Sequence, residues 1–200
     1  MNRRHSLLFA ALLLGFCLLY SCVTWEYQRM HFDLTTMRGE IEYIDLVSAI
    51  EEKEQYWTTD DEKATFFAEL DSIRDEDLKT ILADFGESSE DEFKKDVEKK
   101  LFKKRGKLNG LETFSFSDIE YFGIKISDDS TTYIHKLSDD QTYAGGNGIK
   151  SISGEDEVII WPIDVKVIDI KLHNANLEEE FDFMESLLPY WKKWKRQNKK

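Results

Sequence analysis

Residues 25–46 read WEYQRMHFDLTTMRGEIEYIDL, and their alternation decides the fold. Apolar side chains at every second position mark a strand with one face turned to a core. Here the alternation runs in two registers, Trp25 and Tyr27 first, then Met30, Phe32 and Leu34. A β-bulge near Gln28, one extra residue in the strand, would reconcile them. Thr35-Thr36-Met37-Arg38-Gly39 reads as a turn, and Glu40 to Leu46 returns with Ile41 and Tyr43 alternating against Glu40 and Glu42. The stretch is a β-hairpin.

Residues 51–98 change character. Acids outnumber bases, and the apolar positions take helical spacing. Thr59-Asp60-Asp61-Glu62 resembles a capping box, with acids at the positive end of a helix dipole. Phe66, Phe67, Leu70 and Ile73 then line one helix face, and Leu78, Ile81, Leu82 and Phe85 line the next helix, with Gly86 as its stop. Ser89-Glu90-Asp91-Glu92 caps a third expected helix carrying Phe93, Val97, Leu101 and Phe102. That helix is basic at its end, through Lys99, Lys100, Lys103, Lys104 and Arg105.

From Leu111 to Leu172 the pattern is β. Phe114 and Phe116 alternate, and Tyr121 to Ile126 and Thr131 to Leu137 flank the turn Ser127-Asp128-Asp129-Ser130. Tyr143 and Ile149 flank Gly145-Gly146-Asn147-Gly148, and Asn-Gly predicts a hairpin there. Val158 to Trp161 and Val165 to Leu172 follow, with Pro162 between them. Leu177 to Lys195 is expected to be helical, with Phe181, Met184, Leu188, Trp191 and Trp194 on one stripe and Pro189 kinking or restarting it. Hairpin, helices, strand meander and helix together predict an α+β domain with a mostly antiparallel sheet.

The N-terminus sets the compartment. Arg3 and Arg4 precede an uncharged apolar run from Leu7 to Leu19, the layout of a secretory signal peptide and short for a spanning helix of roughly 20 residues. Leu19-Tyr20-Ser21-Cys22 resembles the bacterial lipobox, with Leu at −3, a small residue at −1 and Cys at +1; Tyr20 departs from it, since −2 usually holds a smaller residue. The resemblance covers only this stretch. It implies removal of residues 1–21 and a mature N-terminal Cys22 carrying diacylglycerol and an amide-linked acyl chain, an effectively permanent anchor. The alternative is an uncleaved signal anchor from about Leu7 to Val23. Both place residues 23–200 outside the cytoplasm, by the positive-inside rule. Val23, where a sorting rule would look for Asp, favours the outer membrane in a host with two membranes. Only Val23 and Thr24 separate Cys22 from the first strand-like run, so the domain is held close to the headgroups.

Removing 21 of 200 residues leaves 179, enough for one domain with a real core, here residues 22–200. The chain has 27 Lys+Arg against 40 Asp+Glu; without Arg3 and Arg4 the balance is 25 against 40, a formal charge of −15. Such a balance argues against nucleic acid as a partner. Cys17 and Cys22 are the only cysteines, so no disulfide, Cys-ligated zinc or cysteine nucleophile is expected in the folded domain.

No motif assigns a catalytic residue, a metal ligand or a cofactor. His31, His135 and His173 lie in separate β segments without the spacing that sets two imidazoles on one helix face. Ser151-Ile152-Ser153-Gly154 does not match a nucleophile elbow, and Gly145-Gly146-Asn147-Gly148 lacks the Lys-Ser/Thr of a P-loop. Asp128-Asp129 and Asp139-Asp140 resemble fragments of calcium loops but lack Gly at the sixth position and Glu at the twelfth. The acidic block 51–98 is either a solvated helix exterior or a face for a basic partner. The tail holds the candidate membrane contact, Trp191 and Trp194 interleaved with Lys192, Lys193, Lys195 and Arg196. Aromatics among cations are the composition of an interfacial helix. The competing reading packs Trp191 on the sheet and leaves the lysines in water.

The sequence therefore points to a lipid-anchored envelope protein without enzymatic activity, a structural, assembly or protein-binding module. Its strand-rich second half, around Trp161-Pro162, is similar to uncharacterised bacterial lipoproteins, which supply no activity. The alternatives are an envelope hydrolase working through carboxylates or a histidine, and an inhibitor or immunity-type lipoprotein. The last predicts an exposed apolar patch away from the anchor.

Overall fold

The computed structural model describes residues 21–50, 60–87, 90, 92–175 and 183–198. The hairpin at the centre forms from two long strands, β1 (Ser21–Asp33) and β2 (Arg38–Ile50). Asp33 closes its turn by accepting the N–H groups of Thr35 and Thr36 at 2.8 and 3.1 Å, and these bonds hold the Asp33 carboxyl below its usual pKa. The change of face read from the sequence is real, but the expected bulge is not, and Tyr27 does not share a register with Trp25: Trp25 packs on Tyr43, whereas Tyr27 packs on His173 and Lys171. One register runs from Ser21 opposite Ile50 to Asp33 opposite Arg38. Glu26 and Asp45 face each other where the ladder is interrupted, and Asp45 sits at φ 61°. Both strands turn over together at this point, so no extra residue is needed. Lys107 Nζ holds the break, bridging Glu26 and the Asp45 carboxylate, the latter at 2.8 Å.

Helix α1 (Asp60–Asp84) follows as one 25-residue helix where two are expected, because Arg74-Asp75-Glu76-Asp77 contains no breaker. Those polar residues have tertiary roles. Arg74 pairs with Glu185 at 2.7 Å, and buried Asp77 accepts the hydroxyl of buried Ser48 at 2.5 Å. The Thr59 cap lies outside the described residues, as do Ser89 and Asp91 of the next expected cap.

The third expected helix is a strand, β3 (Lys94–Lys104), paired antiparallel with β4 (Lys107–Phe116). Phe93, Val97 and Leu101 recur every four residues, a step that fits both the helical and the strand period. Arg105 and Gly106 decide between them: both lie at positive φ, 51° and 83°, and close a two-residue hairpin from Lys104 to Lys107. β3 is the outer strand of its sheet and carries six lysines among eleven residues. It is also bulged between Lys95 and Glu98, with Asp96 at φ 52°. Lysines and bulges are what block strand-to-strand addition at an open edge.

A 3-10 turn (Ile119–Phe122) leads into β5 (Ile124–Ile126), β6 (Thr132–Lys136), β7 (Gln141–Gly146), β8 (Ile149–Ser153), β9 (Asp156–Pro162) and β10 (Val167–Asn174). Asn147-Gly148 does not turn a hairpin. β7 pairs with β10 in the large sheet, β3-β4-β2-β1-β10-β7, whereas β8 pairs with β9 in a second sheet, β5-β6-β9-β8. The glycine run is a crossing between sheets. Gly146, at φ 140°, passes so close to β10 that a Cβ would lie 2.2 Å from the Asp169 carbonyl oxygen. Asn147 ties the crossing down: its Oδ1 accepts from Trp161 Nε1 at 2.7 Å and from Asp169 N at 2.9 Å, and its Nδ2 donates to the Val167 carbonyl at 2.7 Å.

The expected helix from Leu177 gives way, in the described part, to strand β11 (Phe183–Ser186) on β2 and helix α2 (Leu188–Gln197). Pro189 falls in the first turn of α2, where its missing N–H costs nothing. Residues 177–182 of the expected helix lie outside the described residues. The fold is α+β and mostly antiparallel. The two sheets share one apolar cluster, with Phe32, Ile41, Phe114, Ile168 and Ile170 from the large sheet meeting Ile124, Ile159 and Trp161 from the small one. The helices cover the other half of the large sheet through Leu46, Leu78, Leu108, Leu188 and Trp191.

Candidate functional site

The residues singled out for anchoring sit on two separate elements, Cys22 on β1 and the tail residues on α2. Cys22 is exposed and stands in β1 opposite Ala49. Its neighbour Val23 packs against the cluster that contains Trp191. Strand β1 begins at Ser21, so Cys22 already belongs to the sheet. The six tail residues divide. Trp191 is 8% exposed and belongs to the core, as the competing reading holds, while Trp194 is 38% exposed. Lys193 pairs with Asp75 of α1 at 3.0 Å, and Lys195 lies 4.4 Å over the Trp191 ring. Lys192 and Arg196 are exposed on the outer side of the helix. Tyr190, one turn earlier, is buried and donates to Asp71 at 2.7 Å; burial and the carboxylate push its pKa up to about 12. Helix α2 is thus fastened to α1 by its polar side chains and to the sheet by Trp191.

The histidines stay apart. His31 Nδ1 lies 2.9 Å from Asp169, which also takes Arg29 at 3.3 Å. His173 packs on Tyr27, ring centroids 4.7 Å apart. His135 is buried with Nδ1 3.2 Å from the Gly123 carbonyl and Nε2 without a hydrogen-bond partner; burial holds its pKa below the usual value. Its Nδ1 therefore carries the proton in the neutral ring. Among the described residues, no group of three His, Cys, Asp or Glu side chains is placed to hold a metal ion, and no helix is long and apolar enough to cross a membrane.

The carboxylates buried within the sheet are matched by lysines. Glu42 accepts Lys104 at 2.7 Å and Asn109 Nδ2 at 3.3 Å; Glu112 accepts Lys94 at 2.8 Å. Each of these carboxylates thus faces a cation within the sheet, the arrangement of a structural charge pair. Two open grooves accompany them. One of about 460 Å3 is lined by Phe85, Glu87, Glu98 and Lys99, and one of about 370 Å3 by Glu26, Asp45, His173 and Glu185. Sequence reasoning missed the Lys107 bridge, the Glu42–Lys104 and Glu112–Lys94 pairs and the Asn147 clasp. Each joins residues far apart in the chain, and nothing local signals them.

Comparison with protein-family models, with curated proteins and with solved structures gave no match to this chain.

Proposed function

We propose that this chain is an exported bacterial envelope protein, acylated at Cys22 and held by it against a membrane, which works by binding another protein. The observation that carries the reading is the lipobox-like Leu19-Tyr20-Ser21-Cys22 running straight into β1, whose first pairs with β2 form at Ser21 and Cys22. An acyl chain on Cys22 grips the sheet itself, so the domain has little freedom to swing. Trp194, exposed beside Lys195 and Arg196, is the side chain of the tail best placed for a second contact with headgroups. The lysine-matched carboxylates of the large sheet support a binding role over a hydrolytic one.

The test is the mass of the N-terminal peptide from membrane-extracted protein, beside a Cys22→Ala variant. A peptide that begins at acylated Cys22, with Cys22→Ala left unprocessed, supports the anchor. An intact Met1 on an unacylated chain refutes it and makes residues 7–23 a spanning anchor.

A further inference from the structure

Among the described residues, the small sheet ends in a strand with an open outer edge, β8. Its two isoleucines are the most exposed large apolar side chains described, Ile149 at 73% and Ile152 at 74%. They stand at odd and even positions and so project from opposite faces of the sheet. The hydrogen-bonding phase follows from the turn. Ser153 and Asp156 flank the two-residue loop Gly154-Glu155 and form a hydrogen-bonded pair. Counting back, Ile152–Glu157 and Lys150–Ile159 are the non-bonded pairs, so the N–H and C=O groups of Ile152 and Lys150 point away from β9. The edge thus offers two outward donor–acceptor sets with an isoleucine on each face.

The contrast with β3 is informative. That edge is long, bulged and covered in lysine; β8 has one lysine, Lys150, tied at 2.7 Å to Glu157. The segment that supplies the small sheet has the opposite charge balance. Residues 117–165 contain ten Asp and Glu against three Lys, and Glu155 at the tip of the turn is exposed.

We infer that β8 is a docking edge to which an extended, basic segment of another protein adds as a fifth strand, its alternate side chains covering Ile149 and Ile152. Main-chain pairing supplies affinity in strand addition, and side-chain chemistry supplies selection. A second copy of this chain fits less well, because its basic edge, β3, is bulged between Lys95 and Glu98 and the copy brings the same excess of negative charge. The inference rests on the protein-binding reading above and adds its surface and the chemistry of its partner.

The experiment is hydrogen exchange on detergent-solubilised full chain, with and without an acetylated hexapeptide of alternating lysine and valine. The expected result is at least tenfold slower exchange at the Lys150 and Ile152 amides, weakened by salt and not reproduced by a glutamate–valine peptide. Ile152→Pro removes an outward N–H without breaking a bond to β9 and abolishes the effect. If that variant misfolds, Glu155→Lys weakens the effect several-fold instead. Unchanged exchange, equal protection by the acidic peptide, or protection that rises with protein concentration alone each overturns the proposal, the last by pointing to a second copy. Failure here with Cys22 acylated leaves the anchor standing and removes only β8 as the working surface.

Discussion

Replacing Asn147 with alanine tests whether the two sheets are joined by one side chain. Three hydrogen bonds go with it, at 2.7, 2.9 and 2.7 Å. Asn147 itself is exposed, so water takes over part of what the backbone partners lose. The indole N–H belongs to a fully buried Trp161 and finds no such replacement. A net hydrogen bond is worth about 0.5–1.5 kcal/mol and a stranded buried donor about 1–3 kcal/mol, so the substitution costs roughly 2–3 kcal/mol. With a urea slope of about 2 kcal/mol/M, the unfolding midpoint falls by about 1 M. Asn147→Asp keeps the acceptor for Trp161 and Asp169 but loses the donor to Val167, and retains more stability than alanine. Trp161→Phe combined with Asn147→Ala closes a double-mutant cycle with a coupling of about 1 kcal/mol. A loss under 0.5 kcal/mol for Asn147→Ala, or strict additivity, would show that the Asn147 side chain does not hold the crossing.

Three further outcomes follow from the geometry. Gly148→Ala places a Cβ 2.4 Å from Ile159 Cγ2 and 2.6 Å from Trp161, so overpacking costs about 1–3 kcal/mol by urea titration. Trp191→Ala costs about 3–5 kcal/mol of stability as a core truncation, whereas Trp194→Ala leaves stability within about 0.5 kcal/mol and reduces binding to anionic vesicles. Because burial lowers the pKa of His135 in the folded state, the unfolded chain takes up its proton first as pH falls. That contribution is complete above about pH 6.5 and is lost as pH falls toward the folded-state value. The drop in urea midpoint between pH 7 and pH 5 is therefore smaller in His135→Phe than in the parent.

The hairpin, the α+β class and most of the strands of the second half were legible because apolar alternation is a local signal. Phe114 and Phe116 alternate, and both are buried. The misreadings have specific physical sources. Val97 and Leu101 sit four apart, a step shared by helix and strand, and the lysines that suit a helix C-terminus suit an edge strand equally. Asn147-Gly148 has hairpin chemistry, yet tertiary pairing sends β7 and β8 to different sheets. The change of face within β1 is legible in the sequence, but its cause lies across the ladder at Asp45 and in Lys107. Of the tail residues, only position in the fold separates core Trp191 from exposed Trp194. The open edge at β8 follows from sheet order, which no local pattern encodes.

Under the proposed anchor, the lysine-rich edge of β3 gains a further consequence. Anchored molecules diffuse in two dimensions, share one orientation and collide edge against edge far more often than in free solution. Under those conditions a bare eleven-residue strand would seed lateral aggregation at densities a soluble protein never meets. Three of its six lysines, Lys94, Lys99 and Lys104, meet carboxylates, while the exposed Lys95, Lys100 and Lys103 set like charge against like at each such encounter and so oppose pairing along β3.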